Sequence, residues 1–204
     1  MPIKTVIFDF DGVFVRAETF SARLEKDHGI SRDLLAPFFR GIFQKCLVGE
    51  ADLKREITFF YRDWGWKGTL EALIYYWFMA EGDMDDRLKE VVKKLKDKKI
   101  SCYLATNQEK YRAEYLKKNL GLEKVFDRVF VSSDLGCKKP EQVFYEKVFM
   151  SISASLPVKK KEIIFIDDDP KNIEGAMKFG FQTFLYRDFE NFNININNKL
   201  KINL

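Results

Sequence analysis

The stretch Ile3-Lys4-Thr5-Val6-Ile7-Phe8-Asp9-Phe10-Asp11-Gly12-Val13 decides the fold. Residues 3–9 are apolar on both faces, rich in β-branched and aromatic side chains, and end in acid. That is the pattern of a strand covered by helices on each side. Four later runs share it: 100–105 (ISCYLA), 128–132 (RVFVS), 162–167 (EIIFID) and 181–186 (FQTFLY). Helical patterns lie between them. Leu88, Val91, Val92 and Leu95 recur at i, i+3, i+4 and i+7, with Lys89, Lys93, Lys94 and Lys96 on the other face. Residues 109–120, 141–150 and 171–179 read as further helices. Strand and helix in alternation, with short connections, predict an α/β fold built on a doubly wound parallel sheet.

One connection breaks the alternation. Roughly ninety residues separate the first strand from the next convincing one, too many for a structureless loop in a compact domain. The span reads as helices at about 19–28, 32–46, 51–63 and 70–80. It predicts a helical insertion, residues 16–83, over the carboxyl edge of the sheet, with residues 1–15 and 84–190 forming the core. Trp64, Trp66 and Trp77 all lie in it, with Phe38, Phe39, Phe43, Phe59 and Phe60. They are expected to form the insertion's own core, a few facing a ligand. The Asn-rich segment 191–204 is expected to be a frayed tail or an added edge strand.

Scarce residues exclude chemistry. With His28 as the only histidine, any mechanism needing two is ruled out, including most zinc hydrolases and the phosphohistidine phosphatases; His28 itself is expected on the surface of the insertion. Cys46, Cys102 and Cys137 are far apart, so neither a metal knot nor a disulfide framework is indicated. None has arginine six residues on: those positions hold Asp52, Gln108 and Val143, which excludes a phosphocysteine loop. Lys+Arg 35 against Asp+Glu 31 gives +4, too slight a surplus to argue for nucleic acid. No run approaches membrane-spanning length and no leader is visible, so a cytoplasmic protein without a membrane partner, monomer or homodimer, is expected.

In an open α/β sheet, ligands bind at the carboxyl ends of the strands. The first strand ends in Asp9-Phe10-Asp11-Gly12 and the second in Thr106-Asn107. The third leads to Gly136-Cys137-Lys138-Lys139-Pro140, and the fourth ends in Asp167-Asp168-Asp169. Asp9 and Asp11 are two apart and share a face while the backbone stays extended; Gly12 then permits a sharp turn. If Asp167 and Asp168 end a neighbouring strand, each carboxylate pair at ~4 Å repels by roughly 4 kcal/mol at an effective dielectric of 20. A cation resolves the crowding. All-oxygen ligands point to a hard metal, and Mg²⁺ suits a site that keeps waters for a phosphate. Taken singly, each residue has a plainer explanation: a cap, a loop or a surface lysine. Asp169, before Pro170, is assigned as a helix N-cap with no chemistry. It is the ordered coincidence at one sheet edge that those explanations fail to cover.

Asp9-Phe10-Asp11-Gly12-Val13, Thr106-Asn107, Lys139-Pro140 and Asp167-Asp168 resemble, in order, the four motifs of the haloacid dehalogenase-like (HAD) superfamily. The resemblance spans residues 3–187 and implies a Rossmann-like core with an α-helical cap. Within the superfamily the chain looks most like small phosphatases of sugar phosphates and similar metabolites. By that resemblance Asp9 is the nucleophile, forming an aspartyl-phosphate, and Asp11 is the general acid and then base. The dehalogenase branch lacks an aspartate at the Asp11 position, which disfavours dehalogenation. The Thr106 hydroxyl and Asn107 backbone N–H would hold phosphate oxygens, and Lys139 would neutralise the phosphoryl group and Asp9. Asp168, with Asp167 directly or through water, would complete a Mg²⁺ site with Asp9 and the Asp11 carbonyl. Glu141-Gln142 replace the frequent Asp-Pro after Lys-Pro, and Arg16 stands where acid or amide is frequent; the resemblance therefore does not name the substrate. The expected activity is a Mg²⁺-dependent phosphatase of a small phosphorylated metabolite. Its rivals are a phosphomutase and a catalytically idle binding protein.

Overall fold

The computed structural model describes residues 2–16, 18–79 and 84–200. Five strands, β1 (Thr5–Phe8), β2 (Ser101–Thr106), β3 (Arg128–Val131), β4 (Ile163–Asp167) and β5 (Gln182–Leu185), form one sheet in the order β3-β2-β1-β4-β5. Every pairing is parallel. The first strand in sequence is thus the central one. Val6 pairs with Cys102 on one side and Ile164 on the other, Phe8 with Leu104 and Ile166.

Alternation along these strands feeds two cores. Val6, Phe8, Cys102, Leu104, Ile164 and Ile166 face one layer of helices, while Ile7, Tyr103, Ala105, Ile163 and Phe165 face the other. This is why the strands are apolar throughout. In chain order the helices are α1 (Phe20–His28), α2 (Arg32–Arg40), α3 (Phe43–Cys46), α4 (Leu53–Ile57), α5 (Leu70–Met79), α6 (Asp86–Asp97), α7 (Lys110–Asn119), α8 (Leu122–Val125), α9 (Ser132–Leu135), α10 (Gln142–Ser153), α11 (Pro170–Phe179) and α12 (Phe189–Leu200). The Leu88, Val91, Val92, Leu95 stripe of α6 is buried as its period requires.

Helices α1 to α5 occupy the long connection after β1 and share a third core that includes Phe20, Leu24, Leu35, Phe38, Leu53, Ile57, Trp64, Leu73 and Trp77. The expected aromatic core is there, with Phe39, Phe43, Phe60 and Trp66 partly buried against it, but Phe59 is exposed. His28 is exposed, as expected. Two of the expected helices are shorter than the apolar pattern suggested. The 32–46 helix breaks at Gly41, whose N–H bonds the Pro37 and Phe38 carbonyls as a C-cap. The 51–63 helix ends at Ile57 and continues as turns. The expected boundary at Asp83 and the end of the 70–80 helix lie outside the described residues.

The C-terminal expectation is overturned. Residues 189–200 are neither a frayed tail nor an edge strand but helix α12, with Phe192, Ile196 and Leu200 buried in the core that holds Phe8. The asparagines occupy its outer positions, so an apolar i, i+4, i+8 stripe was hidden in a low-propensity sequence. Residues 201–204 lie outside the described residues.

Candidate active site

The carboxyl ends of β1, β2 and β4 open into a cleft of about 860 Å³ whose lining includes Asp9, Asp11, Thr106, Asn107, Lys139 and Asp168. The sheet order explains the convergence: β1 lies between β2 and β4, so their last residues sit side by side.

Lys139 is the centre of the site. It is buried, and its Nζ lies 2.6 Å from Asp9 Oδ1 and 2.7 Å from Asp167 Oδ2. Asp9 Oδ1 also accepts from the Phe10 N–H at 2.7 Å. Asp167 is wholly buried, and its Oδ1 accepts from the Asp169 N–H at 2.9 Å and from Asn172 Nδ2 at 3.1 Å. Burial works against the Lys139 ammonium, but the two carboxylates outweigh it and hold it above the ordinary lysine range. Burial, reinforced by Asp167 and Asp11, pushes Asp9 well above the usual carboxylate range despite Lys139. Two buried carboxylates around one ammonium leave a surplus negative charge, which a proton or a further cation neutralises.

Asp168 supplies the third carboxylate. One oxygen from each of Asp9, Asp167 and Asp168 lies within 4.8 Å of the others. Asp168 is exposed, whereas Asp167 is already held by Lys139, Asn172 and a backbone N–H. Burial and then Asp167 raise Asp168 as well. The all-oxygen donor set fits a hard cation such as Mg²⁺. Gly12 makes the approach feasible. It sits at φ +76°, and a Cβ there would overlap the Asp168 carboxylate.

Asp11 stands at the start of the tight turn after β1, where Gly12 N–H bonds the Val15 carbonyl at 2.8 Å. Its carboxylate takes a bidentate grip from Arg112, Nη2 to Oδ1 at 2.6 Å and Nη1 to Oδ2 at 2.8 Å. Gln108 Nε2 adds a bond to Oδ2 at 2.6 Å. Burial alone would raise Asp11, but Arg112 and Gln108 hold it below the ordinary range.

Thr106 is buried, and its hydroxyl accepts from Gln108 Nε2 at 3.2 Å. The Asn107 side chain does not reach toward the carboxylates but binds the Lys139 backbone, as donor to its carbonyl at 3.0 Å and acceptor from its N–H at 2.9 Å. Asp169 caps α11, accepting from the Lys171 N–H at 2.8 Å, with Pro170 following, the structural role expected of it. All seven candidate residues therefore meet at one sheet edge, although Asp167 does not line the open cleft.

Sequence reading missed Gln108, Arg112 and Asn172. A signal existed for the first two. They are four apart across the start of a helix that follows Thr106-Asn107, so they share a face. Asn172 had none beyond its place in the first turn after Asp167.

A model of the haloacid dehalogenase-like hydrolases matches residues 3–180. The chain belongs to this family. Similar solved structures include the HAD family enzyme bt-2542 from Bacteroides thetaiotaomicron, with a TM-score of 0.78 at 20% identity over 96% of this chain and 99% of that one. The same enzyme in complex with magnesium and inorganic phosphate gives 0.73 at 21% identity, over 93% and 98%. A predicted HAD-like hydrolase from Porphyromonas gingivalis gives 0.78 at 23% identity, over 98% and 99%. At these identities the likeness establishes the fold. A sesquiterpene phosphatase, astK, from Aspergillus oryzae is 30% identical over 96 residues, which is 47% of this chain and 47% of that protein. The match thus spans less than half of that relative. Among the described residues no helix is long and apolar enough to cross a membrane.

Proposed function

We propose that this HAD-like hydrolase is a Mg²⁺-dependent phosphatase that hydrolyses a small phosphate monoester through an aspartyl-phosphate on Asp9. The observation that carries the reading is Lys139 Nζ at 2.6 Å from Asp9, in a cleft that Asp11 also lines. Membership of a family named for dehalogenases does not choose the reaction; the second carboxylate, Asp11, supports phosphoryl transfer.

In the proposed reaction an Asp9 oxygen attacks phosphorus, the bond from phosphorus to the ester oxygen breaks, and a protonated Asp11 gives its proton to the departing alcohol. Water then attacks the same phosphorus while Asp11 takes its proton. The bond to Asp9 breaks, and inorganic phosphate leaves. Lys139 offsets charge on the phosphoryl oxygens and on Asp9, and the Thr106 hydroxyl and Asn107 N–H bind those oxygens. Asp9, Asp168 and the Asp11 carbonyl would hold Mg²⁺, with Asp167 reserved for Lys139. Bound there, the ion would supply electrostatic stabilisation of the transferring group.

We read the helical segment 16–83 as a cap. Supporting this, Phe20 of α1 and Trp77 of α5 line the cleft and stack on each other with centroids 4.4 Å apart. A cap screens water and limits substrate size. The first substrate class under this reading is the sugar phosphates. A second reading, the phosphate ester of an isoprenoid alcohol, is favoured by the Phe20–Trp77 wall and by the name of the Aspergillus relative.

The test is phosphate release from a panel of hexose, pentose and isoprenyl monophosphates with Mg²⁺ and with EDTA, beside Asp9→Asn. Metal-dependent turnover lost in the variant supports the phosphatase, and the panel ranks the two substrate classes. Interconversion of sugar phosphates in the presence of a bisphosphate would instead identify a mutase. No turnover of any ester sinks the proposal and leaves an idle binding protein.

A further inference from the structure

Arg112 is a cation that lines the cleft and pairs there with Asp11. Its side chain is 11% exposed, against 48% for its partner Asp11, so the pair is half inside the cavity. The grip is bidentate, and Gln108 completes it: its Nε2 donates to Asp11 Oδ2, and its Oε1 accepts from Arg112 Nη1. The Asp11 carboxylate thus accepts three N–H donors, two of them from one guanidinium. The Arg112 backbone is fixed independently, because the buried Glu109 caps α7 and accepts the N–H groups of Tyr111 at 2.9 Å and Arg112 at 2.5 Å. The guanidinium is therefore carried on a fixed stretch of backbone.

We propose that Arg112 is a substrate-binding latch. With no anion in the cleft its fork holds Asp11; an entering phosphoryl group takes the fork, and Asp11 is released. The exchange is geometrically conservative, since a planar guanidinium binds two oxygens of a carboxylate or of a phosphate in the same manner. Arg112 lines the same cleft as Asp9 and Lys139, so the two anions compete for it. The inference rests on the phosphatase reading for the role of Asp11, but its anion exchange is measurable without turnover.

The experiment is a double-mutant cycle on binding of inorganic phosphate, by calorimetry with Mg²⁺ present, in wild type, Asp11→Asn, Arg112→Gln and the double variant. Competition predicts that Asp11→Asn tightens phosphate binding by about tenfold, within the range typical of coupled sites, and that this gain largely vanishes when Arg112 is already Gln. Simple repulsion by Asp11 predicts the opposite: an equal or larger gain without Arg112 to screen it. That outcome, or an Arg112→Gln variant that binds phosphate like wild type, overturns the latch. Arg112→Lys, which keeps the charge but loses the fork, should bind phosphate with intermediate affinity and controls for misfolding. If the cycle shows competition while no ester is turned over, the latch stands and the phosphatase reading falls.

Discussion

The Asn107 carboxamide bonds both the N–H and the carbonyl of Lys139, at 2.9 and 3.0 Å. It ties the end of β2 to the loop that delivers the lysine. The backbone of Lys139 is thereby set by a residue that the family resemblance had linked only to phosphate. Asn107→Ala should cost about 1–3 kcal/mol in urea unfolding, the range for losing satisfied polar partners. Turnover should fall further than stability does, by about 100-fold, since a displacement of about 1 Å at a reacting group has that effect. Equal stability and turnover to wild type would mean the lysine is placed by its loop alone.

Removing the ammonium should be more damaging than removing its clamp. Lys139→Ala leaves Asp9 and Asp167 facing each other in a buried site. Breaking one side of a buried ion pair costs about 3–5 kcal/mol. Chemical denaturation at neutral pH would measure it. Asp9→Asn removes one of the two anions and should partly restore the stability of Lys139→Ala.

Magnesium should raise the melting temperature of the wild-type protein, by mass action at the carboxylates of Asp9 and Asp168. Gly12→Ala should abolish that rise, because its Cβ would displace the Asp168 carboxylate and its φ of +76° strains any side chain. Asp168→Asn should lose the rise while melting close to wild type in EDTA. A magnesium shift that survives both substitutions would place the ion elsewhere.

The helical segment is tied to the core by a carboxylate. Asp52, the N-cap of α4, accepts the Tyr111 hydroxyl at 2.6 Å and pairs with Lys110 at 3.2 Å, both on α7. Partial burial would raise Asp52, but Tyr111, the Arg55 N–H and Lys110 hold it below the ordinary range. A carboxyl lowered in the folded state stabilises above its unfolded value of about 3.9 and loses that contribution as pH falls through the folded value. The melting temperatures of wild type and Asp52→Asn should therefore differ at pH 6 and converge below pH 4. A gap that persists in acid would assign the effect to shape rather than charge.

Legibility in the sequence followed the strength of local periodicity. All five strands were readable, because burial on both faces leaves an unbroken apolar run, and α6 announced itself through Leu88, Val91, Val92 and Leu95. The sequence could bring Asp9, Asp11, Thr106, Asn107, Asp167 and Asp168 to one edge because sheet topology sets strand ends side by side, while Lys139 joined them through its motif and sits on a loop tied to Asn107. What stayed hidden depended on side-chain direction. The reach of Arg112 back to Asp11 joins residues far apart in sequence, and no spacing rule encodes it. Helix α12 was missed because asparagine is a poor helix former, and only the packing of Phe192, Ile196 and Leu200 overrides that preference.

The position of β1 has a consequence for biosynthesis. Asp9 lies just past β1, a central strand whose second partner, β4, is made much later, at residues 163–167. Until then one edge of β1 has no strand to bond, and Lys139 lacks one of its two counterions. The nascent chain thus carries Asp9 long before it carries a site. An open apolar edge of β1 must stay out of trouble until β4 is made, and the candidate site is whole only when β4 joins the sheet.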